Sequence, residues 1–301
     1  MTKTAESIVF FGSGPVAAAS LKLLANDFII EAVITKPRPP HHTGDVPVIA
    51  LAEELQIPIL TAVNKQSLSE LFANSSLQSR VAVLIDFGII VAQDVIDFFP
   101  LGIVNSHFSL LPQWRGADPI SFAILSGQPT TGVSLMLLVA GMDEGPILAY
   151  SEYEIPADCT TPQLTDALIE LSAELLSHML PSYMAGEIEV APQSVEGVSY
   201  SRKLDKKDSV LDWNKPAVEL EREVRAFYGW PRSRTTVAGH DLVITKAHVV
   251  DASGAPGTLW RDDKAFGVHC SEGSLVFDEV IPAGKKPMSA AAFLAGYTLQ
   301  P

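Results

Sequence analysis

Through the first half of the chain, unbroken apolar runs alternate with stretches of helical spacing. SIVFFGSG (7–14) is an apolar run ending at a glycine turn and predicts a buried strand. PVAAASLKLLAND (15–27) has helical spacing, and Pro15 suits a first helical turn, where its missing N–H costs nothing. IIEAVITK (29–36) predicts a second strand, VIALAEELQ (48–56) a helix, IPIL (57–60) a short strand and SLSELFANS (67–75) another helix. VAVLIDFG (81–88) is almost wholly apolar, the mark of a central parallel strand covered on both faces, and VAQDVIDFFP (91–100) predicts the helix after it. This β-α-β-α alternation predicts an α/β fold: an open, mostly parallel, Rossmann-like sheet with helices on both faces.

The pattern then changes. PISFAILSGQ (119–128) reads as a helix, and 130–155 as two strands around the turn AGMDEGP (140–146). A long amphipathic helix is predicted over 160–186, followed by a polar stretch, 189–213, without clear periodicity. After a helix at 215–227, five short strands follow with Gly, Pro and Asp turns, which predicts a small β-barrel.

Composition and charge narrow the possibilities. The chain has 301 residues, 47% of them apolar, enough for one large domain or two ordinary ones, each with its own core. No apolar stretch reaches about 18 residues, so no membrane span is expected, and the N-terminus lacks a signal peptide's long apolar region. Two distant cysteines, Cys159 and Cys270, favour a cytoplasmic protein over a disulfide scaffold or zinc site. The net charge is −14, but residues 201–301 hold 14 of the 21 Lys and Arg and only 13 of the 35 Asp and Glu. Any contact with a polyanion is therefore expected in the last third. No metal is expected, because the adjacent His41 and His42 make a poor chelate and the other histidines lack ligand spacing.

Candidate chemistry lies at a strand end. GSGP (12–15) opens a helix after a strand, but without the third glycine of a dinucleotide fingerprint it reads as a tight turn. In LGIVNSHF (101–108), Asn105 and His107 are two apart and share one face of the strand. Alone, the pair reads as two polar residues satisfying a turn. Asp143, in a Gly-flanked turn 36 residues beyond His107, changes this if the two strands are neighbours. An amide and an imidazole can donate to a developing oxyanion. A carboxylate beside the imidazole can take a proton through water. That combination suits attack by an amine on a carbonyl without a covalent nucleophile.

NSHFSLLPQWRGADPI (105–120) followed by TGVSLMLLVAGMDEGPIL (131–148) strongly resembles the 10-formyltetrahydrofolate-dependent formyltransferases. EGVSYSRKL (196–204), LDW (211–213), VRAFYGWP (224–231) and AGKKPMSA (283–290) resemble the branch of that family acting on methionyl-tRNA. The resemblance runs from about Ile8 to about Gly296. It implies a catalytic domain at 1–188, a linker at 189–206 and an OB-like β-barrel that binds tRNA at 207–301. It implies formyl transfer from 10-formyltetrahydrofolate, a co-substrate and not a bound cofactor, to methionyl-initiator-tRNA for translation initiation, by a monomer. Asn105 and His107 would hold the formyl oxygen and Asp143 would manage the proton. Ile85, Asp86, Phe87, Gly88, Ile89, Ser109, Leu110, Leu111, Pro112, Gly141, Met142 and Glu144 would form the folate pocket. Gly12, Ser13, Arg38, Arg115, Lys203, Lys206, Lys207, Arg232 and Arg234 would face the acceptor and its RNA. Arg115 has a second reading, as a structural residue tying its loop to backbone carbonyls. Two other acceptors remain open at this point: a nucleotide-linked amino sugar, and water in a formyltetrahydrofolate hydrolase.

Overall fold

The computed structural model describes residues 7–39 and 44–299, so His41 and His42 lie outside the described residues. In chain order the elements are β1 (Ser7–Gly12), α1 (Pro15–Asp27), β2 (Ile29–Thr35), α2 (Pro47–Glu54), β3 (Ile59–Thr61), α3 (Lys65–Ala73), β4 (Ala82–Ile85) and α4 (Gln93–Asp97). Then come β5 (Ile103–His107), β6 (Arg115–Gly116), α5 (Pro119–Ser126), β7 (Thr130–Leu137), β8 (Ile147–Glu154), α6 (Thr161–Met184) and β9 (Tyr200–Ser201). The remainder holds α7 (Ala217–Ala226), β10 (Ser233–Val237), β11 (His240–Val250), β12 (Leu259–Arg261), β13 (Phe266–His269), β14 (Ser274–Pro282), β15 (Met288–Ser289) and α8 (Ala290–Gly296).

Contacts group the chain into two units. One holds the chain up to Gly116, Thr130–Glu154 and Thr165–Tyr200; the other holds Ala117–Pro129, Ile155–Leu164 and everything from Ser201. The stretch read as a linker is thus divided at Tyr200, and 117–129 and 155–164, read with the catalytic domain, contact the C-terminal elements instead.

The first unit is a seven-stranded sheet in the order β3-β2-β1-β4-β5-β7-β8. Pairing is parallel from β3 through β5 and antiparallel at β5–β7 and β7–β8. The apolar runs become the central strands, as expected for strands buried on both faces. Phe11 anchors an aromatic cluster, stacked on Phe72 at 5.7 Å and edge-on to Phe87 at 5.3 Å and to Phe99 at 6.0 Å. Pro15 opens α1 and Asn64 caps α3, accepting from the Ser67 amide at 2.9 Å. The α6 helix is tied to the sheet by the buried Ser172–Ser106 hydroxyl pair and by Tyr183, which donates to the Leu101 carbonyl at 2.7 Å.

The second unit is an antiparallel sheet in the order β10-β11-β14-β13-β12, with β15 beside β14: the expected barrel realised as a curled half-barrel. Ala238 and Gly239, both at positive φ, make the two-residue turn of the β10–β11 hairpin. Its core gathers Leu220 and Val224 from α7, Ile244, Phe277, and Phe266 stacked on Phe293 from α8. The α8 helix went unread in the sequence because seven Ala-rich residues are too short to show a period.

Within this unit the Arg202 guanidinium clamps Asp208 with two hydrogen bonds. That clamp holds the Asp208 carboxyl at about 2, below its usual 3.8. A shift of that size corresponds to ~2.4 kcal/mol. Arg202 is 60% exposed, so solvent screening reduces the expected contribution to about 1 kcal/mol. A depressed carboxylate stabilises the fold fully above pH 4 and loses that contribution as pH falls toward 2. Asp208→Asn is therefore expected to lower denaturation stability by about 1 kcal/mol at pH 7. The gap to wild type should close on acidification; a gap constant between pH 7 and 2.5 contradicts the clamp.

Candidate active site

Asn105 and His107 lie within β5 and are both 7% exposed. Their period-2 spacing puts both side chains on one face. The Asp143 turn reaches them by a route the strand pattern did not show. Because β7 runs antiparallel to β5, Leu137 lies opposite Val104, at the start of β5 and three residues before His107. The turn after β7 therefore folds back along the sheet to meet His107. Gly145 permits this, since a Cβ there would sit 1.7 Å from the Leu137 carbonyl oxygen. Asp143 itself has φ 50°, in the left-handed region.

The three side chains converge. Asn105 Nδ2 donates to Asp143 Oδ1 at 3.4 Å, and His107 Nδ1 lies 3.8 Å from Asp143 Oδ2. Asp143 Oδ2 also accepts from the Gly116 amide at 2.7 Å. His107 Nε2 is 2.9 Å from the Trp114 carbonyl oxygen, which can only accept, so Nε2 carries a proton. The other ring nitrogen, Nδ1, is thereby left for the site and for Asp143.

The loop between His107 and Gly116 is pinned along its length. Ser134 Oγ donates to the Ser109 carbonyl and accepts from the Leu111 amide, and Ser109 Oγ donates to the Gln113 carbonyl. Ser199 takes the other side: its Oγ accepts from the Trp114 amide, its carbonyl from the Arg115 amide, and its amide donates to the Pro112 carbonyl. Gln193 holds the Asp143 turn, donating to the carbonyls of Asp143 at 2.7 Å and Gly145 at 2.8 Å. Neither Gln193 nor Ser199 was singled out in the sequence; they bond to partners 50 and 85 residues away, which no local pattern records.

Several residues named from the sequence take other places. Arg115 is 8% exposed, and its guanidinium donates to Gln193 Oε1 at 2.7 Å and faces Glu144 at 3.4 Å. Buried in this way, it is not presented to an RNA phosphate. Phe87 belongs to the aromatic core and Leu111 packs with Met136 and Ile147, so their side chains line the core and not an open pocket. Asp118 is the left-handed N-cap residue of α5 and accepts from the Leu204 amide at 2.8 Å, a structural task within the second unit.

The other strand-end loops assemble as expected for an open α/β sheet, beyond the carboxyl ends of its strands. The Ser13 amide donates to the Asp86 carbonyl at 2.9 Å, joining the loop that begins at Gly12 to Ile85–Ile89. Ser13 Oγ accepts from the Lys36 amide. Gly88, at φ 65°, leaves room for Lys36, whose Nζ lies 2.9 Å from where a Cβ would stand. This places a cation, unread in the sequence, beside that loop. Leu110 and Pro112 are half-buried, whereas Met142 is 63% exposed at the tip of the Asp143 turn beside Gly141. Arg38 is exposed in the first unit; Lys203, Lys206, Lys207, Arg232 and Arg234 are exposed in the second.

The formyl transferase family matches residues 8–180, and the formyl transferase C-terminal domain matches residues 203–298. The methionyl-tRNA formyltransferase of Myxococcus xanthus is 39% identical over 301 residues, covering 98% of this chain and 96% of its own. That of Paracoccus denitrificans is 34% identical over 299 residues, covering 97% and 98%. Among solved structures, an N-formyltransferase from Helicobacter canadensis in complex with folinic acid and dTDP-3-aminofucose superimposes with a TM-score of 0.70 at 17% identity. It covers 90% of this chain and 98% of its own, a likeness of fold. With matches at this identity over nearly the full length of both chains, the protein belongs to the formyl transferase family.

Proposed function

We propose that this protein transfers the formyl group of 10-formyltetrahydrofolate to the α-amino group of methionyl-initiator-tRNA, by direct attack of the amine. The observation that carries the chemistry is the convergence of Asn105, His107 and Asp143 on the face of β5. The full-length similarity to methionyl-tRNA formyltransferases, at 34 to 39% identity, carries the acceptor.

The amine nitrogen adds to the formyl carbon, and the carbonyl oxygen becomes an oxyanion. Preorganised donors stabilise that charge: the Asn105 amide is one, and His107 is the other when Nδ1 also carries a proton, since its Nε2–H is held by the Trp114 carbonyl. The amine sheds a proton toward Asp143 through water, and the folate N10 gains one as its bond to the formyl carbon breaks. The proton count balances between the two nitrogens, so no metal and no covalent enzyme intermediate is required.

Lys203, Lys206 and Lys207 supply exposed positive charge for RNA phosphates, whereas neighbouring Arg202 is held by Asp208. Lys206→Ala combined with Lys207→Ala is expected to weaken tRNA binding and to reduce the slope of log K against log salt by about 1 to 2. An unchanged slope removes these lysines from the phosphate contacts.

The acceptor is tested by offering the enzyme 10-formyltetrahydrofolate with charged initiator tRNA, with an amino-sugar nucleotide, or with neither. Formylation of the tRNA alone is expected. Transfer only to the sugar, or folate turnover with no acceptor, overturns the proposal.

A further inference from the structure

We propose that Gln193 is a positioning residue for Asp143, so that the segment between the two family-matched stretches is part of the catalytic apparatus. The inference rests on the role given to Asp143 above. Residues 181–202 fall between the two stretches matched by the family. Yet Ala191 bridges Ile147 at the foot of β8 by two backbone hydrogen bonds, and Gln193 follows two residues later.

Each part of the Gln193 amide has a separate task. Its NH₂ group spans the carbonyls of Asp143 and Gly145, fixing the turn on both sides of Glu144. Its Oε1 accepts from Arg115 Nη2, which fixes the amide's orientation. Arg115 in turn sits next to Gly116, whose amide donates to Asp143 Oδ2. Gln193 thus restrains the backbone of Asp143, and its partner Arg115 belongs to the strand that grips the carboxylate. Asp143 sits in the left-handed region, where a non-glycine residue persists only if its surroundings hold it there.

Reacting groups displaced by about 1 Å can lose roughly 10²-fold in rate. Gln193→Ala is therefore expected to lower kcat about 10- to 100-fold, with KM for both substrates within about 3-fold of wild type. The decisive test is the cycle with Asp143→Asn. If Gln193 acts through the Asp143 carboxylate, adding Gln193→Ala to Asp143→Asn is expected to cost less than about 3-fold more, because neighbours in one network are not additive. Gln193→Glu keeps the length of the side chain and the Arg115 contact but sets an oxygen against two carbonyls. It is expected to show the same loss and non-additivity, and it carries the test should the alanine variant fail to fold. An equal loss in both backgrounds, or no loss in either variant, overturns the proposal. Wild-type turnover of Asp143→Asn itself would overturn the reading of the site, and this proposal with it.

Discussion

Asp143→Asn is expected to slow formyl transfer by roughly 10²–10⁴-fold while leaving tRNA binding within about 2-fold of wild type. The change removes charge and keeps shape. An Asn Oδ1 can still accept from the Gly116 amide, so the turn retains its anchor. With that anchor kept, its amide nitrogen faces the Asn105 amide, a donor against a donor; turned over, it faces His107 Nδ1 and the Gly116 amide loses its acceptor. In either orientation the carboxylate that receives the amine's proton is gone. The loss corresponds to ~3–5 kcal/mol of transition-state stabilisation, all of it expected in kcat. Single-turnover formylation measures the rate and filter binding measures the affinity. Wild-type turnover in the variant removes Asp143 from the mechanism.

Asn105→Ala is expected to lower kcat by roughly 10²–10³-fold, the cost of removing one oxyanion donor. Asn105 is 7% exposed, and its amide has one partner in Asp143 at 3.4 Å, a long contact that leaves donor capacity for the formyl oxygen. An interaction formed only as charge develops on oxygen lowers kcat without raising KM. Steady-state kinetics in 10-formyltetrahydrofolate distinguishes this from simple folate binding. A raised KM with unchanged kcat would place Asn105 on the ground-state ligand and not on the oxyanion.

Much of this site was legible in the sequence because its parts are local. Asn105 and His107 sit at period-2 spacing on an apolar strand, and the glycines around Asp143 mark a turn whose tight approach requires Gly145. The parallel strands announced themselves as apolar runs. What the sequence concealed depends on distant partners. Gln193 and Ser199 lie in a polar stretch without periodicity, and their importance exists only where that stretch lies against the Trp114 and Asp143 loops. Arg115 carried two readings, an acceptor-facing cation and a structural residue, and only its burial against Gln193 and Glu144 favours the structural one. The fold-back of the Asp143 turn depends on the antiparallel β5–β7 register, which hydrophobic patterning does not specify.

The most direct test of direct amine attack follows the formyl label. The enzyme is mixed with 10-formyltetrahydrofolate labelled in the formyl carbon, first alone and then with methionyl-initiator-tRNA. With no acceptor, neither labelled protein nor released tetrahydrofolate is expected. On adding the tRNA, label should appear on the methionyl α-amino group in equal amount to the tetrahydrofolate released. Label fixed on the protein before the tRNA is added, or tetrahydrofolate released without it, would contradict the account.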